Sequence, residues 1–270
     1  MYKGPANAPE KDRRQGVPTL VSNTTFPYAS LWDGWLSDRV TDIQTLNEFR
    51  RKFRQMPPRI LHIQDIWKKD VAIQLSSLLF KMPFSRVQAV QDARGNVVEV
   101  VDSKWRETAV ERRWYRHSVV RPIEQLGEGD HLPESSRQLL CEFLLFTARG
   151  PLFRSWLSMA TGLLYRDQAS LEFGRYDKED FIAPHDDYAE GRSVSVSFYL
   201  DPNWVPRCGG LLGFSSDAGV DQLVPPLFNS VSVIPIASTC RHWVQEWAGP
   251  LPGRYTISLG FYGDRSNISA

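Results

Sequence analysis

Two stretches of this chain alternate apolar and polar residues for long enough to fix their conformation. In "SVSVSFYL" (193–200), Val194, Val196, Phe198 and Leu200 fall on one side and Ser193, Ser195, Ser197 and Tyr199 on the other. In "GRYTISLGFY" (253–262), Tyr255, Ile257, Leu259 and Phe261 oppose Arg254, Thr256 and Ser258. A period of two is that of a β-strand, so each stretch is expected to be a strand with one apolar and one polar face. Such polar faces lie either in water or around a polar ligand inside a barrel whose apolar faces turn outward against helices.

The first half of the chain supplies the helices. Residues 1–30 are rich in Pro, Gly, Asn and charge and are expected to form a flexible N-terminal arm. From "LWDGWLSDRVTDIQTLNEFRRKF", Trp35, Val40, Ile43, Leu46 and Phe53 fall roughly on one helical side, and Pro57-Pro58 ends the pattern. "RILHIQD" predicts a short strand, with Asp65 as N-cap of a helix over "IWKKDVAIQLSSLLF". Residues 86–102 predict a hairpin turning at Arg94-Gly95-Asn96, and two helices follow, "ESSRQLLCEFLLFTAR" and "PLFRSWLSMATG". After residue 168 the texture is that of strands. No repeat or Gly/Ser linker divides the chain, so residues 31–270 are expected to form one domain, with helical support over 31–167 and a β core over 168–263.

Charge does not point to a partner: 32 Lys and Arg against 31 Asp and Glu leave +1, no global field for nucleic acid or anionic lipid. The basic, aromatic segment "KWRETAVERRWYRH" is diluted by Glu107 and Glu111 and is expected to be a solvated strand or helix face. Cys141, Cys208 and Cys240 are odd in number and lack metal-site spacing, which fits a reducing compartment. There is no signal-peptide pattern and no apolar run long enough to span a bilayer, so a soluble, cytoplasmic protein is expected, and the acceptor triplets at Asn23 and Asn267 carry no weight. The oligomeric state is unknown.

"FIAPHDDY" (181–188) holds a candidate metal grip. On an extended chain His185 shares a face with Asp187 and not with Asp186. His242, in "TCRHWVQEW", is the histidine left later in the β half to join them, unless it packs between Trp243 and Trp247. Two imidazoles and one carboxylate form the facial set of a non-haem Fe(II) centre with open positions, whereas structural zinc prefers four protein ligands. His62, His117 and His131 fall outside these motifs and are expected to be surface or packing residues.

Arg254, twelve residues after His242 on the polar face of the last strand, makes a resemblance specific. "YDKEDFIAPHDD", "SVSVSFYLDPNW", "CGGLLGF", "CRHWV" and "GRYTISLGFY" resemble, in order and spacing, the Fe(II)/2-oxoglutarate-dependent dioxygenases, and within them the prolyl-4-hydroxylase-like group. The likeness covers about residues 168–263. It implies an α+β fold, a double-stranded β-helix (a jelly-roll or cupin-like barrel) supported by N-terminal helices. It also implies Fe(II), 2-oxoglutarate and O2 as cofactors. His185, Asp187 and His242 would be the metal ligands and catalytic centre, and Arg254 would pair with the distal carboxylate of 2-oxoglutarate. Tyr199 would hydrogen-bond the same carboxylate, Thr256 matches the hydroxyl residue two after the arginine, and Tyr176 a tyrosine near the co-substrate's other end. The implied outcome is hydroxylation of an unactivated C–H bond with release of succinate and CO2. Asp187 argues against halogenation, which needs that position vacated, and Gly260 against nucleic-acid repair relatives, which carry a second arginine there.

The preferred partner is a small-molecule substrate, a free amino acid or other metabolite, because the chain ends at Ala270, soon after the arginine strand. Alternatives are a hydroxylase of prolyl residues in a protein and a non-catalytic iron- or ligand-binding barrel. No nucleic-acid or membrane partner is expected.

Overall fold

The helical pattern over residues 31–53 breaks at Asp42. Asp42 has extended backbone (ψ 134°), and its carboxylate accepts the Thr45 N–H at 2.8 Å, so it ends α1 (Asp38–Thr41) and caps α2 (Ile43–Phe53). The break turns Ile43 out to solvent, while Leu46, Phe49 and Phe53 stay buried. The computed structural model describes residues 32–55, 57–122, 132–188, 191–250 and 253–263. The expected arm, the Asn23 and Asn267 triplets and His131 lie outside them.

After β1 (Leu61–Gln64) comes α3 (Lys69–Leu79), whose N-cap is Lys68. Asp65 does not cap it, because its backbone sits in the left-handed region (φ 53°) at a turn before the helix. β2 (Ser85–Gln91) and β3 (Val97–Glu99) form the expected hairpin. Its turn is held by Asp92, whose carboxylate accepts the Arg94 and Asn96 N–H groups, and by Gly95 at φ 84°. α4 (Asp102–Glu107) leads into β4 (Arg113–Val120). α5 (Glu134–Leu144) runs into a π-helical turn over Leu145–Arg149, and α6 (Leu152–Thr161) stops at the left-handed Gly162.

Eight strands follow: β5 (Tyr165–Tyr176), β6 (Phe181–His185), β7 (Val194–Tyr199), β8 (Leu212–Ser216), β9 (Val220–Val224), β10 (Ser230–Pro235), β11 (Cys240–Val244) and β12 (Arg254–Gly263). They pair antiparallel as two four-stranded sheets, β10-β7-β12-β5 and β6-β11-β8-β9. This is a double-stranded β-helix, an α+β fold with helices before the barrel. β4 joins the sheets on one side, pairing with β5 through Ser118–Val120 and with β6 through Tyr115 and Arg116. On the other side β1 extends the first sheet beside β10, and the Ile60 N–H donates to Gln222 Oε1 on β9 at 2.9 Å. The supporting half is thus not only helical: its four strands extend, bridge and overhang the barrel.

Alternation sets the core. Val196, Phe198, Ile257 and Phe261 point outward from the first sheet and are buried by the helical half. Trp67 packs against Phe198 with ring centroids 4.8 Å apart, and Phe153 on α6 reaches Phe198 and Phe261. Burying rings of this size stabilises by roughly 2–3 kcal/mol each. Trp32, Trp67 and Trp156 are therefore core residues. Among the described residues no helix is long and apolar enough to cross a membrane. The three cysteines are free thiols.

Candidate active site

The barrel brings His185, Asp187 and His242 together, with one ligand atom from each lying within 4.8 Å of the others. The two histidines are cross-strand partners, His185 at the end of β6 directly opposite His242 on β11, with ring centroids 4.2 Å apart. His242 does not pack between the tryptophans. Trp243 points the other way and lies over Gly213 on β8, where an added Cβ would come within 1.9 Å of the indole. Gly213→Val should therefore expel Trp243 and cost about 1–3 kcal/mol in a thermal or urea unfolding measurement.

Asp187 reaches the site by a different route from the strand alternation expected of it. β6 ends at His185, and Asp187 sits at φ 53°, a region open to Asp or Asn but costly for most residues. Asp186 is spent on the turn itself, its carboxylate accepting the Tyr188 N–H at 2.8 Å. The turn aims Asp187 inward: Oδ1 lies 3.5 Å from His185 Nε2 and Oδ2 lies 3.6 Å from His242 Nε2. His185 Nδ1–H donates to the Ala183 carbonyl at 2.9 Å, which fixes the tautomer with the Nε2 lone pair facing the site.

Arg192 completes this corner. Its Nη1 donates to Asp187 Oδ2 at 2.9 Å, and its stem fills the space over Gly260, where a Cβ would meet Arg192 Cδ at 2.8 Å. Burial alone would raise the Asp187 pKa, but His242, His185 and Arg192 outweigh it and hold the carboxyl well below the usual carboxylate range. Burial, reinforced by the neighbouring His242, pushes His185 down to about 4. At neutral pH the cluster therefore offers an anionic oxygen and a neutral imidazole, the protonation states that a cation requires.

Deeper in the barrel Arg254 is 2 % exposed. Its guanidinium lies between two rings, 4.8 Å from the centroid of Tyr176 and 5.0 Å from that of Tyr199. Arg254 Nε and Nη1 and the Tyr199 hydroxyl are buried without a hydrogen-bond partner. Thr256 stands opposite Tyr199 on the neighbouring strand and is also buried. Unpartnered buried donors beside a cation are costly unless an anion meets them, so the residues present fit the carboxylate of a small dicarboxylic acid. The two imidazole nitrogens and the carboxylate of the triad, facing the cavity, fit Fe(II).

Two cavities whose linings share His185, Asp187, Glu172 and Arg192 surround the cluster. One of about 160 Å³ is lined by the triad with Arg254, Thr256 and Ser258. The other, about 960 Å³, is an open groove bordered by Trp114, Tyr115 and His117 of β4, Glu172 of β5 and Arg241 of β11. The segment expected to be a solvated face is thus partly a groove wall, and Trp105 within it is buried beneath Arg113 and Arg116. His117 is not a surface residue: it stacks on Tyr176 at 5.3 Å and 12°, with Nε2 3.4 Å from Glu172. Arg192, Glu172 and His117 are site residues that sequence reasoning missed. The local signal was slight, since Glu172 continues the polar face of β5 only once its pairing with Ser258 is known, and Arg192 precedes β7 and lies outside its alternation.

Fold and site together define a double-stranded β-helix with a triad for a metal ion and a cationic pocket for a dicarboxylate. Residues 171–260 match the 2OG-Fe(II) oxygenase superfamily. Over these residues the chain carries the core of a superfamily whose chemistry uses Fe(II), 2-oxoglutarate and O2, and the triad and the pocket beside it fit those cofactors. Among curated relatives, prolyl 3-hydroxylase OGFOD1 of Mus musculus is 30 % identical over 117 residues, 41 % of this chain and 22 % of that protein. The match spans about a fifth of the relative's length. Among solved structures, a Trichoplax adhaerens prolyl hydroxylase in complex with a hypoxia inducible factor peptide fragment superposes with a TM-score of 0.58 at 16 % identity, covering 84 % of this chain and 92 % of that one. A Pseudomonas putida prolyl-4-hydroxylase gives 0.51 at 18 % identity, covering 80 % and 98 %. At these identities the structures show a shared fold. The expectation of a small-molecule substrate is overturned by these relatives, which are prolyl hydroxylases, one of them solved with a peptide. Its premise, a short C-terminal end, took no account of β4 and the β2–β3 hairpin as groove walls.

Proposed function

We propose that this chain hydroxylates prolyl residues in a protein or peptide, using Fe(II), 2-oxoglutarate and O2 and releasing succinate and CO2. The observation that carries the reading is the open groove of about 960 Å³ running past the triad, beside a much smaller inner cavity. A free metabolite needs only a closed pocket, whereas an extended chain must enter and leave on either side of the reacting residue. The 30 % identity to a prolyl 3-hydroxylase supports the same substrate class.

In this reading His185, Asp187 and His242 would hold Fe(II), and the metal with 2-oxoglutarate would supply O2 activation and insertion of one oxygen atom into a C–H bond. The chain's own residues bind and orient. Arg254 and Tyr199 meet the distal carboxylate, Thr256 offers a hydroxyl beside them, and Tyr176 fixes the guanidinium plane. Arg192 keeps Asp187 ionised and aimed inward. Ile182, Leu212 and Val244 give the inner cavity apolar walls that limit water. The test is incubation with a library of proline-containing peptides and matched peptides carrying alanine for proline, read by mass. A gain of one oxygen confined to the proline set is expected. Oxidation of free proline with none of any peptide would refute the proposal.

A further inference from the structure

We propose that His62 is a positioning residue for 2-oxoglutarate, acting through Ser232 to orient the Tyr199 hydroxyl toward the distal carboxylate. His62 lies on β1, the strand added to the barrel by the N-terminal half, directly opposite Ser232 of β10. Ser232 in turn pairs with Ser197 of β7, and Ser197 with Ser258 of β12. Directly opposed residues share a face, so this row runs along the inner, polar side of the first sheet. His62 therefore faces the barrel interior, whereas the sequence pattern gave it a surface or packing role.

One contact sets the direction of the row. His62 Nδ1 is 3.1 Å from Ser232 Oγ, and its ring centroid is 6.4 Å from that of Tyr199. Arg254 and then Ser232 are the polar side chains that bear on the Tyr199 phenol, whose hydroxyl has no hydrogen-bond partner in this structure and so can turn to accept from Ser232. A neutral imidazole has one N–H. On Nε2 it would be a buried donor with no partner, since that atom is enclosed and unpaired. On Nδ1 it donates to Ser232, and the Ser232 hydroxyl is then free to donate to Tyr199 Oη. Tyr199 must in turn point its own hydrogen away from Ser232, toward the space before Arg254 where the Tyr199 hydroxyl and two Arg254 nitrogens lack partners. Each donor thus passes its direction to the next, and an anion at the end satisfies the last. Burial keeps the imidazole neutral, with its pKa pushed down to about 4, which this orientation requires.

The inference rests on the co-substrate reading above, and calorimetric titration of the Fe(II)-loaded protein without oxygen separates the two. Wild type that binds no 2-oxoglutarate would refute that reading itself. Given wild-type binding, His62→Phe and Ser232→Ala should each raise the dissociation constant roughly three- to tenfold, the worth of one hydrogen bond. His62→Asn, which keeps an amide donor near the place of Nδ1, should stay within about twofold. In a Tyr199→Phe background His62→Phe should add nothing, because the phenol through which it acts is gone. Pyruvate, a 2-oxo acid without the distal carboxylate, should bind wild type and His62→Phe equally. An unchanged constant in His62→Phe and Ser232→Ala would overturn the proposal. So would an effect that persists without the Tyr199 hydroxyl, or an equal loss of pyruvate binding. Should His62→Phe fail to fold, Ser232→Ala carries the same comparison.

Discussion

Asp187→Gly is expected to abolish measurable Fe(II) binding and turnover, while Asp186→Ala keeps metal affinity within a few fold of wild type. Glycine is the informative replacement, because Asp187 sits at φ 53° and an alanine there would add backbone strain to the loss of a ligand. With glycine the turn is retained and only the carboxylate is lost. Removing an outer-shell partner of a ligand typically costs roughly 10–100-fold in metal affinity, so loss of the only carboxylate of the cluster should exceed about a hundredfold. Asp186 faces the Tyr188 amide and none of the ring nitrogens, so its loss loosens the turn and spares the cluster. The check is anaerobic Fe(II) titration, paired with the thermal shift that saturating metal gives wild type. At a hundred times the dissociation constant that stabilisation is about 2.7 kcal/mol, and it should vanish in Asp187→Gly. A metal-dependent shift retained in Asp187→Gly and lost in Asp186→Ala would exchange the two roles.

The same pair of aspartates shows how far the sequence carries the site. His-x-Asp selects the residues that the structure brings together, yet its reason, alternation along a strand, does not apply, because β6 stops at His185. What turns Asp187 inward is a left-handed residue after an Asx turn, and nothing in "HDDY" distinguishes that from two more extended residues. Where strands run their full length, alternation suffices. Ser195, Ser197, Thr256 and Ser258 face inward from β7 and β12 because a period of two admits one other face and the helices claim it.

Long-range pairing is what the sequence conceals. "RWYRHSVV" shows no clean alternation because β4 bridges two sheets and borders a groove, so it has no purely apolar face. His62 and His117 carry no local sign of their place. Each is set by a partner strand more than fifty residues away, Ser232 for one and Glu172 for the other. The break at Asp42 was legible in principle, since aspartate is a favoured N-cap at the head of a helical period, but the period on either side masked it.

Arg254→Ala should raise the 2-oxoglutarate dissociation constant by roughly thirtyfold or more, the equivalent of about 2–5 kcal/mol for stripping a buried anion of its charged partner. Lysine should restore part of this, because an ammonium keeps the charge but neither matches the planar fork nor lies flat between Tyr176 and Tyr199. Fe(II) affinity should change little in either variant, since the triad stands on β6, the turn after it and β11, while Arg254 stands at the start of β12. Stability separates this from a general loss of structure. Without co-substrate, Arg254 is a buried cation with two unpartnered nitrogens, an arrangement that costs the fold more than an apolar side chain of similar length. Arg254→Met should therefore match or exceed wild type in apo thermal stability while losing the stabilisation that 2-oxoglutarate gives wild type. Anaerobic titration and paired melting curves, with and without 2-oxoglutarate, decide it. Undiminished 2-oxoglutarate affinity in Arg254→Met would move the carboxylate away from this pocket. A large loss of apo stability with affinity retained would make Arg254 a structural residue.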